Sequence, residues 1–390
     1  MFDIAGYSSL EEFGAAVRSL AEQELEPIAA EFGERSEVCR PLLEKFGDLG
    51  FYRLLDQETG QGTWLEDHRW SAFVAVREAL ALVDSQLDEV FTIQNMGLFP
   101  LAFMGDAKQR ERFLPDVTAG KRIAAFALSE PGAGSDVSSM TTTATRVTDG
   151  WSLTGDKTWI SHAPDAEIYV IFARHAEDSG IKGYSAFVVE ADSEGFARLP
   201  VLELMAPHAV GSLELRDVFV PEDKVLGEVG QGLRTALKTL NFFRPSVGGR
   251  AMGLARHALD VAVDWANERE TFGSPLMGHQ AVAFKLADMA IQIRAGRALV
   301  YEAALLADSA DPNLGIASST AKVFATEIAQ KIIYDAQQIC GARALVKGHP
   351  VEAIYRQARA MTIYEGTSEV QKLIASRHIS RGNLANFWNF

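Results

Sequence analysis

The spacing of apolar residues changes twice along this chain, and these changes limit the folds available to it. Residues 9–110 carry apolar side chains at helical spacing, broken by glycine and proline. Residues 123–230 consist of short β-rich runs such as AEIYVIFARH and GYSAFVVEAD, with turn signals such as Asp149-Gly150. Helical spacing returns after about residue 232. The order helical, β, helical is therefore predicted.

Three domains are predicted, because 390 residues exceed what one simple hydrophobic core accommodates. They are an N-terminal helical domain (1–122), a middle antiparallel β domain (123–231) and a C-terminal helical bundle (232–390). In the stretch WSLTGDKTWIS, Gly155-Asp156 is interpreted as a turn signal. About four helices are expected in the bundle, a count typical of antiparallel helix bundles.

Composition excludes several classes of function. The formal net charge of −15 disfavours nucleic acid and anionic membranes as partners, because both would repel the chain. Cys39 and Cys340 fit no disulfide or metal-ligand spacing, and the eight histidines form no i, i+4 pair, so no metal is expected. No secretory signal and no membrane-spanning run is evident, which predicts a cytoplasmic enzyme.

Three short stretches have side chains that suit a bound cofactor. LSEPGAGSDVSS (128–139) combines glycines and hydroxyls, so it is either a surface turn or a loop that approaches a polar ring or phosphate. TWISH (158–162) holds a tryptophan that is either packed in the core or flanks a planar cofactor. RETFGSPL (269–276) follows a long helix, and its arginine either caps that helix or holds a diphosphate.

Glu365, in MTIYEGTSEVQ, is the candidate for proton chemistry. Gly366 allows a sharp turn after it, and Ser368 and Gln371 have the spacing of a capping box beside Thr367. An apolar surrounding would raise the pKa of the carboxyl towards the value that a general base needs. The alternative is a solvated loop glutamate.

Taken together, the motifs resemble the acyl-CoA dehydrogenase flavoprotein family. LSEPGAGSD, GDKTWISHA, RETFGSPLMGHQAVAFKLADM and IYEGTSEVQKLIASR occur in the order and spacing of that family. The resemblance implies a helical domain, a β-barrel domain and a four-helix bundle. It also implies FAD bound partly across a subunit interface in a homotetramer, with electron-transfer flavoprotein or another electron acceptor as partner, in fatty acid metabolism.

Particular residues acquire roles from this resemblance. Those expected at the cofactor are Phe126, Leu128, Ser129, Trp159, Ser161, Arg269, Thr271, Phe272, His279, Gln280, Gln338, Gly341, Gly366, Thr367 and Glu369. Those expected at the acyl thioester are Ser135, Asn241, Phe243 and Arg244. Within the first set, Ser161 is expected near flavin N5, and Arg269 and Thr271 are expected to reach the diphosphate of FAD in a neighbouring subunit.

Glu365 matches the catalytic base of the commonest branch of the family. The implied reaction is α,β-dehydrogenation of an acyl thioester, in which Glu365 removes the α proton and flavin N5 accepts the β hydride. A minority branch places its base at the position of Phe243, which cannot take a proton. Glu365 is then the only candidate base that the resemblance leaves.

Some positions depart from the family pattern. Serine stands where threonine is usual at positions 129 and 161, and CGARA (340–344) replaces a glycine-rich stretch. The usual acidic residue after Arg356 is Gln357. The unusual segment MAPHAVGSLELRDVFVP leads to the hypothesis that the acyl group is carried by an acyl-carrier protein instead of CoA. A reductase, an oxidase or a flavin monooxygenase of the same fold are alternatives, as is a silent FAD-binding or nucleic-acid-associated relative.

Overall fold

The computed structural model describes residues 2–56, 61, 63–176 and 183–380. The outermost parts of the predicted domains, residue 1 and residues 381–390, lie outside this range. The α-helices of the described residues are α1 (Leu10–Leu20), α2 (Glu26–Phe32), α3 (Arg40–Leu49), α4 (Trp64–Asp67), α5 (Arg69–Val83), α6 (Ser85–Met104), α7 (Ala107–Thr118), α8 (Gly232–Glu268), α9 (Gln280–Asp308), α10 (Leu314–Cys340), α11 (Pro350–Ala358) and α12 (Ser368–Ser380).

The strands of the described residues lie mainly in the middle of the chain. They are β1 (Ala124–Ala127), β2 (Thr143–Val147), β3 (Gly150–Ser161), β4 (Ile168–His175), β5 (Tyr184–Glu190), β6 (Phe196–Arg198), β7 (Val210–Pro221), β8 (Val225–Leu226), β9 (Glu270–Thr271) and β10 (Ser274–Pro275). The predicted order of helical, β and helical segments is thus confirmed.

The chain forms two compact units. The β unit comprises Met1–Ala5, Pro27–Gln61 and Glu89–Leu240. The bundle unit comprises Gly6–Glu26, Gly62–Asp88 and Asn241–Phe390. Each unit therefore combines segments that are far apart in sequence.

An eight-stranded sheet forms the centre of the β unit, in the order β6-β7-β3-β2-β4-β5-β8 with β1 beside β4. The prediction of a wholly antiparallel sheet is wrong, because β4 pairs in parallel with β1 and with β2. The other pairings in this sheet are antiparallel. Strands β4 and β5 are nearly continuously buried, which explains their long runs of apolar residues.

Gly155-Asp156 is not a turn, contrary to the prediction. Strand β3 continues through it, and the register with β7 shifts between Leu153 and Gly155. Gly155 has φ of 152°, and a Cβ there would lie 2.6 Å from the Cα of Thr142. The register shift is a bulge within one long strand, and only glycine fits the close approach to Thr142 at this point.

Helices dominate the bundle unit, and small residues allow them to approach closely. The core of α8 includes Ala255, Ala258 and Ala262, all fully buried. A Cβ at Gly253 would lie 2.4 Å from the backbone oxygen of Glu78, so α8 and α5 pack almost backbone to backbone. The short helix α11 is additional to the four helices expected.

Helix α1 begins with an N-cap at Ser9. The Ser9 hydroxyl accepts a hydrogen bond from the Glu12 N–H at 3.2 Å, and Phe13 and Val17 are buried. No helix in the described part of the chain is both long enough and apolar enough to cross a membrane.

Candidate active site

A strained backbone corner presents Glu365 in the bundle unit. Glu365 has φ of 52° and Gly366 has φ of 93°, so two successive residues lie in the left-handed region. For glutamate this conformation is unfavourable, and such strain is often retained at functional sites. The φ of 93° at Gly366 favours glycine, and a Cβ there would also displace the Gln371 amide, whose Nε2 would lie 2.4 Å away.

Three side chains hold the two carbonyls of this corner. Arg244 Nε donates to the Glu365 carbonyl at 3.1 Å, and Lys322 Nζ donates to the Gly366 carbonyl at 2.8 Å. Gln371 Nε2 donates to both carbonyls, at 3.3 and 3.0 Å. No described residue accepts a hydrogen bond from the backbone N–H of Glu365.

The capping box expected from Ser368 and Gln371 does not form. Thr367 Oγ1 instead accepts from the Val370 N–H at 3.3 Å at the start of α12. The Gln371 amide is occupied by the corner carbonyls, so it is not available for a cap. Gln371 therefore supports the backbone that carries Glu365, and Thr367 caps the start of α12.

The Glu365 carboxylate lies in a buried environment surrounded by cations. Its Oε2 atom is buried and has no hydrogen-bond partner among the described residues. Burial raises the pKa of Glu365, although the charges of Arg77, Lys322 and Arg244 act in the opposite direction. An unpaired carboxylate oxygen with a raised pKa has the properties of a general base.

A buried ionic cluster lies beneath this carboxylate. Arg77 Nε and Nη2 bind the two oxygens of Asp88 at 2.7 and 3.0 Å, and Arg250 Nη1 binds Asp88 at 2.8 Å. Burial alone would raise the pKa of Asp88, but the two arginines lower it overall. Ser246 accepts from Arg77 Nη1 at 2.9 Å. The cluster supplies a fixed positive group near Glu365.

Burial also shifts the pKa values of two groups that neighbour Glu365. Burial lowers the pKa of Lys322 to about 8, despite the opposing charge of Glu365. Burial also raises the pKa of Tyr364 to about 12. In both groups burial disfavours the charged form, and the pKa shifts accordingly.

In the β unit, a buried ion pair organises the loop that follows β1. Lys157 Nζ donates to Glu130 Oε1 at 2.8 Å and to the Leu128 carbonyl at 3.2 Å. Glu130 also accepts from the N–H groups of Thr141 and Thr142. Although burial acts to raise its pKa, Lys157 and these donors lower the pKa of Glu130 to about 2. The ion pair therefore holds LSEPGAGSD against β3.

Trp159 is an exposed aromatic ring on β3, so it is not an ordinary core residue. Its side chain is 60% exposed, its φ is 59°, and it lies where β3 shifts register against β7. The adjacent Thr158 N–H donates to the Ser129 carbonyl at 3.0 Å. Ser161 ends the strand two residues later. The structure thus brings Ser129, Trp159 and Ser161 together.

The other residues expected at the ring are less exposed. Leu128 is buried, and Phe126 is half-buried with its ring centroid 4.8 Å from that of Phe172. Ser135 lies on the exposed part of the same loop. Phe126 and Leu128 are therefore largely withdrawn from the surface.

The segment that begins at Arg269 forms a small hairpin of β9 and β10. Phe272 at its tip is fully exposed with φ of 52°, and His279 Nε2 lies 3.1 Å from Thr271 Oγ1. The remaining residues expected at the cofactor in the bundle unit are also exposed at the surface: Arg269, Gln280, Gln338, Gly341 and Glu369. The tip of the hairpin is therefore exposed at the surface of its own unit.

Phe243 and Asn241 occupy different environments on α8. Phe243 is fully buried, with edge-to-face contacts to Trp70 and Phe73. Asn241 is half-buried, and its Oδ1 accepts from Arg244 Nη1 at 2.8 Å. Asn241 therefore orients the arginine that holds the corner.

Sequence reasoning did not identify several of these supporting residues. Arg250 is 162 residues from Asp88, and Lys157 is 27 residues from Glu130. A charged residue within an apolar helix, such as Arg77 in RWSAFVAVREALALV, is the available signal of a buried partner. The partner's identity cannot be obtained from that signal.

Comparison with known proteins identifies the family. The chain matches the family models for the N-terminal domain (residues 8–121), the middle domain (125–218) and the C-terminal domain (230–380) of acyl-CoA dehydrogenases. Together these matches cover most of the sequence.

Individual relatives agree with these matches. The probable acyl-CoA dehydrogenase FadE25 of Mycobacterium tuberculosis is 35% identical over 375 residues, which are 95% of each chain. The mitochondrial short-chain specific acyl-CoA dehydrogenase of Bos taurus is 36% identical over 365 residues, 93% of this chain and 88% of that protein. A solved glutaryl-coenzyme A dehydrogenase–glutaryl-CoA complex has a TM-score of 0.89 and 30% identity, covering 96% of each chain.

These results define an oxidoreductase that acts on CH–CH bonds. The chain belongs to the acyl-CoA dehydrogenase family. Its own residues fit a planar group such as a flavin: Trp159 has an exposed aromatic ring, and Ser129 and Ser161 lie on the adjoining backbone. In the bundle unit, Oε2 of Glu365 has no hydrogen-bond partner among the described residues, so it can interact with a bound ligand.

Proposed function

We propose that this protein removes two hydrogens from the α and β carbons of an acyl-CoA thioester, with Glu365 as the base for the α proton. The observation that carries this proposal is the buried Oε2 atom of Glu365, which has no partner among the described residues. A structural carboxylate in a buried site would have its oxygens paired, because an unpaired one is costly.

The surroundings of Glu365 suit removal of a weakly acidic proton. Burial raises the pKa of the carboxyl, which strengthens it as a base, while Arg77, Lys322 and Arg244 limit the rise. The backbone N–H of Glu365, which has no acceptor among the described residues, is then available to the thioester carbonyl. A donor at that position would stabilise the enolate-like charge that develops as the proton leaves.

FAD, when bound, supplies the acceptor for the β hydride. In this proposal Trp159 packs beside its ring and Ser161 hydrogen-bonds near N5. Phe126, Leu128 and Ser129 line the ring, and main-chain groups of their stretch reach its polar edge. The exposed hairpin of Arg269, Thr271 and Phe272 would reach the diphosphate in a second subunit. The other proposed cofactor contacts are His279, Gln280, Gln338, Gly341, Gly366, Thr367 and Glu369.

A homotetramer is part of the proposal. Phe272 is fully exposed, and Phe284 and Ile291 on α9 are 62% and 64% exposed. Large apolar side chains at the surface of one chain are typical of residues that a neighbouring subunit covers. The domain limits 1–122, 123–231 and 232–390, a cytoplasmic location and electron-transfer flavoprotein as electron acceptor stay predictions.

On the substrate side, we propose that Ser135, Asn241 and Arg244 lie along the pantetheine arm, with Phe243 supporting them from the core. The pantetheine arm is common to CoA and to acyl-carrier proteins, so these contacts suit either carrier. CoA is proposed because the glutaryl-CoA dehydrogenase complex, at 30% identity, has a CoA thioester as its ligand.

An anaerobic titration tests the proposal. The purified protein should be yellow, and its flavin absorbance should fall when a saturated acyl-CoA of suitable chain length is added. A set of acyl-CoA thioesters of different lengths defines the substrate, and the same acyl groups on a carrier protein are the comparison. Faster bleaching by the carrier-bound form would show that the substrate is carried by an acyl-carrier protein instead of CoA. A colourless protein, or the absence of bleaching by every thioester, would contradict the proposed function.

A variant of Trp159 tests the cofactor surface separately. Trp159→Ala should lose FAD during dialysis, because the exposed ring would no longer cover the flavin. Full retention of FAD by the variant would remove Trp159 from the proposed cofactor site.

A further inference from the structure

A chain of three side chains in the β unit ends at Ser161. Ser161 Oγ lies 2.7 Å from His208 Nε2, and His208 Nδ1 is hydrogen-bonded to Glu89 Oε1. Ser161 and Val210 are partners in the antiparallel pairing of β3 and β7, which places His208 beside the serine. The side chains of His208 and Glu89 are each only 20% exposed.

The direction of each hydrogen bond in this chain follows from the chemistry of the groups. An ionised carboxylate only accepts hydrogen bonds, so Glu89 requires the proton on His208 Nδ1. In the neutral imidazole, Nε2 is then an acceptor, and the only proton of the Ser161 hydroxyl must point towards it. The Ser161 oxygen consequently has only acceptor capacity left for a third group.

Oxidised and reduced flavins differ at the atom that Ser161 is proposed to meet. N5 of the oxidised ring is an acceptor, whereas N5 of the reduced ring carries a proton and donates. A hydroxyl that can only accept therefore suits the reduced ring. Hydrogen bonds to ring nitrogens are one of the ways in which a protein tunes a cofactor.

We propose that Glu89 and His208 are positioning residues that hold the Ser161 hydroxyl as an acceptor towards flavin N5 and thereby favour the reduced flavin. This inference rests on the proposed function, because that function places Ser161 at the flavin. His162, the other histidine near this chain, is kept neutral: burial, followed by the charge of His208, lowers its pKa to about 3. His162 therefore adds no positive charge beside His208.

The main test measures the reduction potential of bound FAD in the full-length protein, at alkaline pH, where imidazole groups are neutral. In Glu89→Gln the neutral amide can either donate to or accept from Nδ1, so the ring proton is no longer confined to Nδ1 and the Ser161 hydroxyl can turn outwards. The expected result is about a tenfold shift of the reduction equilibrium against the reduced flavin, about 30 mV for a two-electron couple. Loss of a nearby negative charge alone would raise the potential, so a rise would overturn the proposal.

A double-mutant cycle with Ser161→Ala identifies the route of the effect. Glu89→Gln should have no further influence on the potential when Ser161 is alanine, because the two residues act through one hydrogen bond. An equal shift in the presence and absence of the hydroxyl would overturn the proposal. Glu203→Gln is the matched control, since Glu203 is an acid of the same unit that accepts a hydrogen bond from Ser36 at 3.2 Å. This control should leave the potential unchanged; a shift equal to that of Glu89→Gln would also overturn the proposal.

A second measurement does not depend on flavin binding or on the Glu89 variant. Nitrogen NMR of histidine-labelled wild-type protein, with His208 assigned by comparison with His208→Gln, should show the proton of the neutral ring on Nδ1. A proton on Nε2 would overturn the proposal. A protein that bleaches with acyl-CoA but shows no potential shift in Glu89→Gln contradicts this inference alone, whereas a protein without FAD contradicts the proposed function.

Discussion

Glu130 in the β unit and Glu365 in the bundle unit are both glutamates in buried surroundings with cations nearby, yet their pKa values shift in opposite directions. The pKa of Glu130 falls to about 2, whereas that of Glu365 rises. Glu130 accepts hydrogen bonds from Lys157, Thr141 and Thr142. Glu365 has a buried Oε2 without any partner among the described residues.

The difference shows that proximity to positive charge does not by itself decide the state of a buried carboxyl. The arginines and lysine near Glu365 bond to backbone carbonyls or to Asp88 instead of to its carboxylate. Burial then outweighs their charges in setting its pKa. Glu130, whose oxygens are directly paired, is suited to a structural role, and Glu365 is suited to proton transfer.

The largest expected effect is on the reaction of the Glu365 variant. Glu365→Gln should bind FAD but bleach with acyl-CoA about 100- to 10,000-fold more slowly, because the amide cannot take a proton. Stopped-flow absorbance under anaerobic conditions measures this rate. Glu11→Gln, at an exposed acid of the same unit, is the control and should react at the wild-type rate. An unchanged rate in Glu365→Gln would show that another residue removes the proton.

The second effect is on the stability of Glu130 variants. Glu130→Gln should lower the free energy of unfolding by about 3 to 5 kcal/mol, because it leaves the buried Lys157 ammonium without its carboxylate. Denaturant unfolding provides the measurement. Glu222→Gln breaks the exposed Arg146–Glu222 pair in the same unit and should cost less than about 1 kcal/mol. Equal losses in the two variants would show that burial of the pair is unimportant.

The stability that Glu130 contributes should also depend on pH. Its pKa is lower in the folded state than its ordinary value of 4.5, so the contribution is complete above that value. It is lost as the pH falls towards about 2. The difference between wild type and Glu130→Gln should therefore shrink between pH 4.5 and pH 2, and a constant difference would contradict this interpretation.

A smaller effect is expected for glycines in the two regions. Gly366→Ala should cost about 1 to 3 kcal/mol, because its φ of 93° and the nearby Gln371 amide leave no room for a Cβ. Gly134→Ala, in the loop held by Glu130, should change stability by less than about 0.5 kcal/mol, since a Cβ there meets nothing within 4 Å. Thermal unfolding of both variants measures the contrast, and similar losses would refute the requirement for glycine at the corner.

The smallest expected effect is a gain in stability on removing the base. Because the pKa of Glu365 is raised in the folded state, its contribution to stability is present at acid pH and lost as the pH rises through that pKa. Glu365→Gln should therefore be more stable than wild type by about 1 kcal/mol at neutral pH, with no gain at acid pH. Destabilisation at neutral pH would indicate that the ionised carboxylate has a structural partner.

Much of the fold could be predicted from periodicity. Apolar residues recur every three to four positions in a helix and at every second position in a strand. This spacing was enough to locate β3 to β5 and the long helices α8 to α10. The parallel pairing of β4 and the bulge at Gly155 could not be predicted, since both depend on which strand lies beside which. The short helix α11 has only nine residues, too few for a clear period.

For the candidate site, sequence reasoning could propose Glu365, Gly366 and Trp159 because their motifs are local. It misassigned Gln371, which has the spacing of a capping residue but bonds to the corner carbonyls instead. It also could not connect Ser161 with His208 and Glu89, because three separate segments bring them together. Hydrogen-bond partners that are distant in sequence leave no local pattern.

The sequence by itself determined the order of the segments, the family and the position of the candidate base, since these depend on periodicity and on short motifs. Only the tertiary structure decided the chemical state of that base. A carboxyl's pKa depends on burial and on the direction of neighbouring donors, and both arise from residues as distant as Arg77, Arg244 and Lys322. The tertiary structure alone also decided that Glu130 is paired while the Oε2 of Glu365 is left available for chemistry.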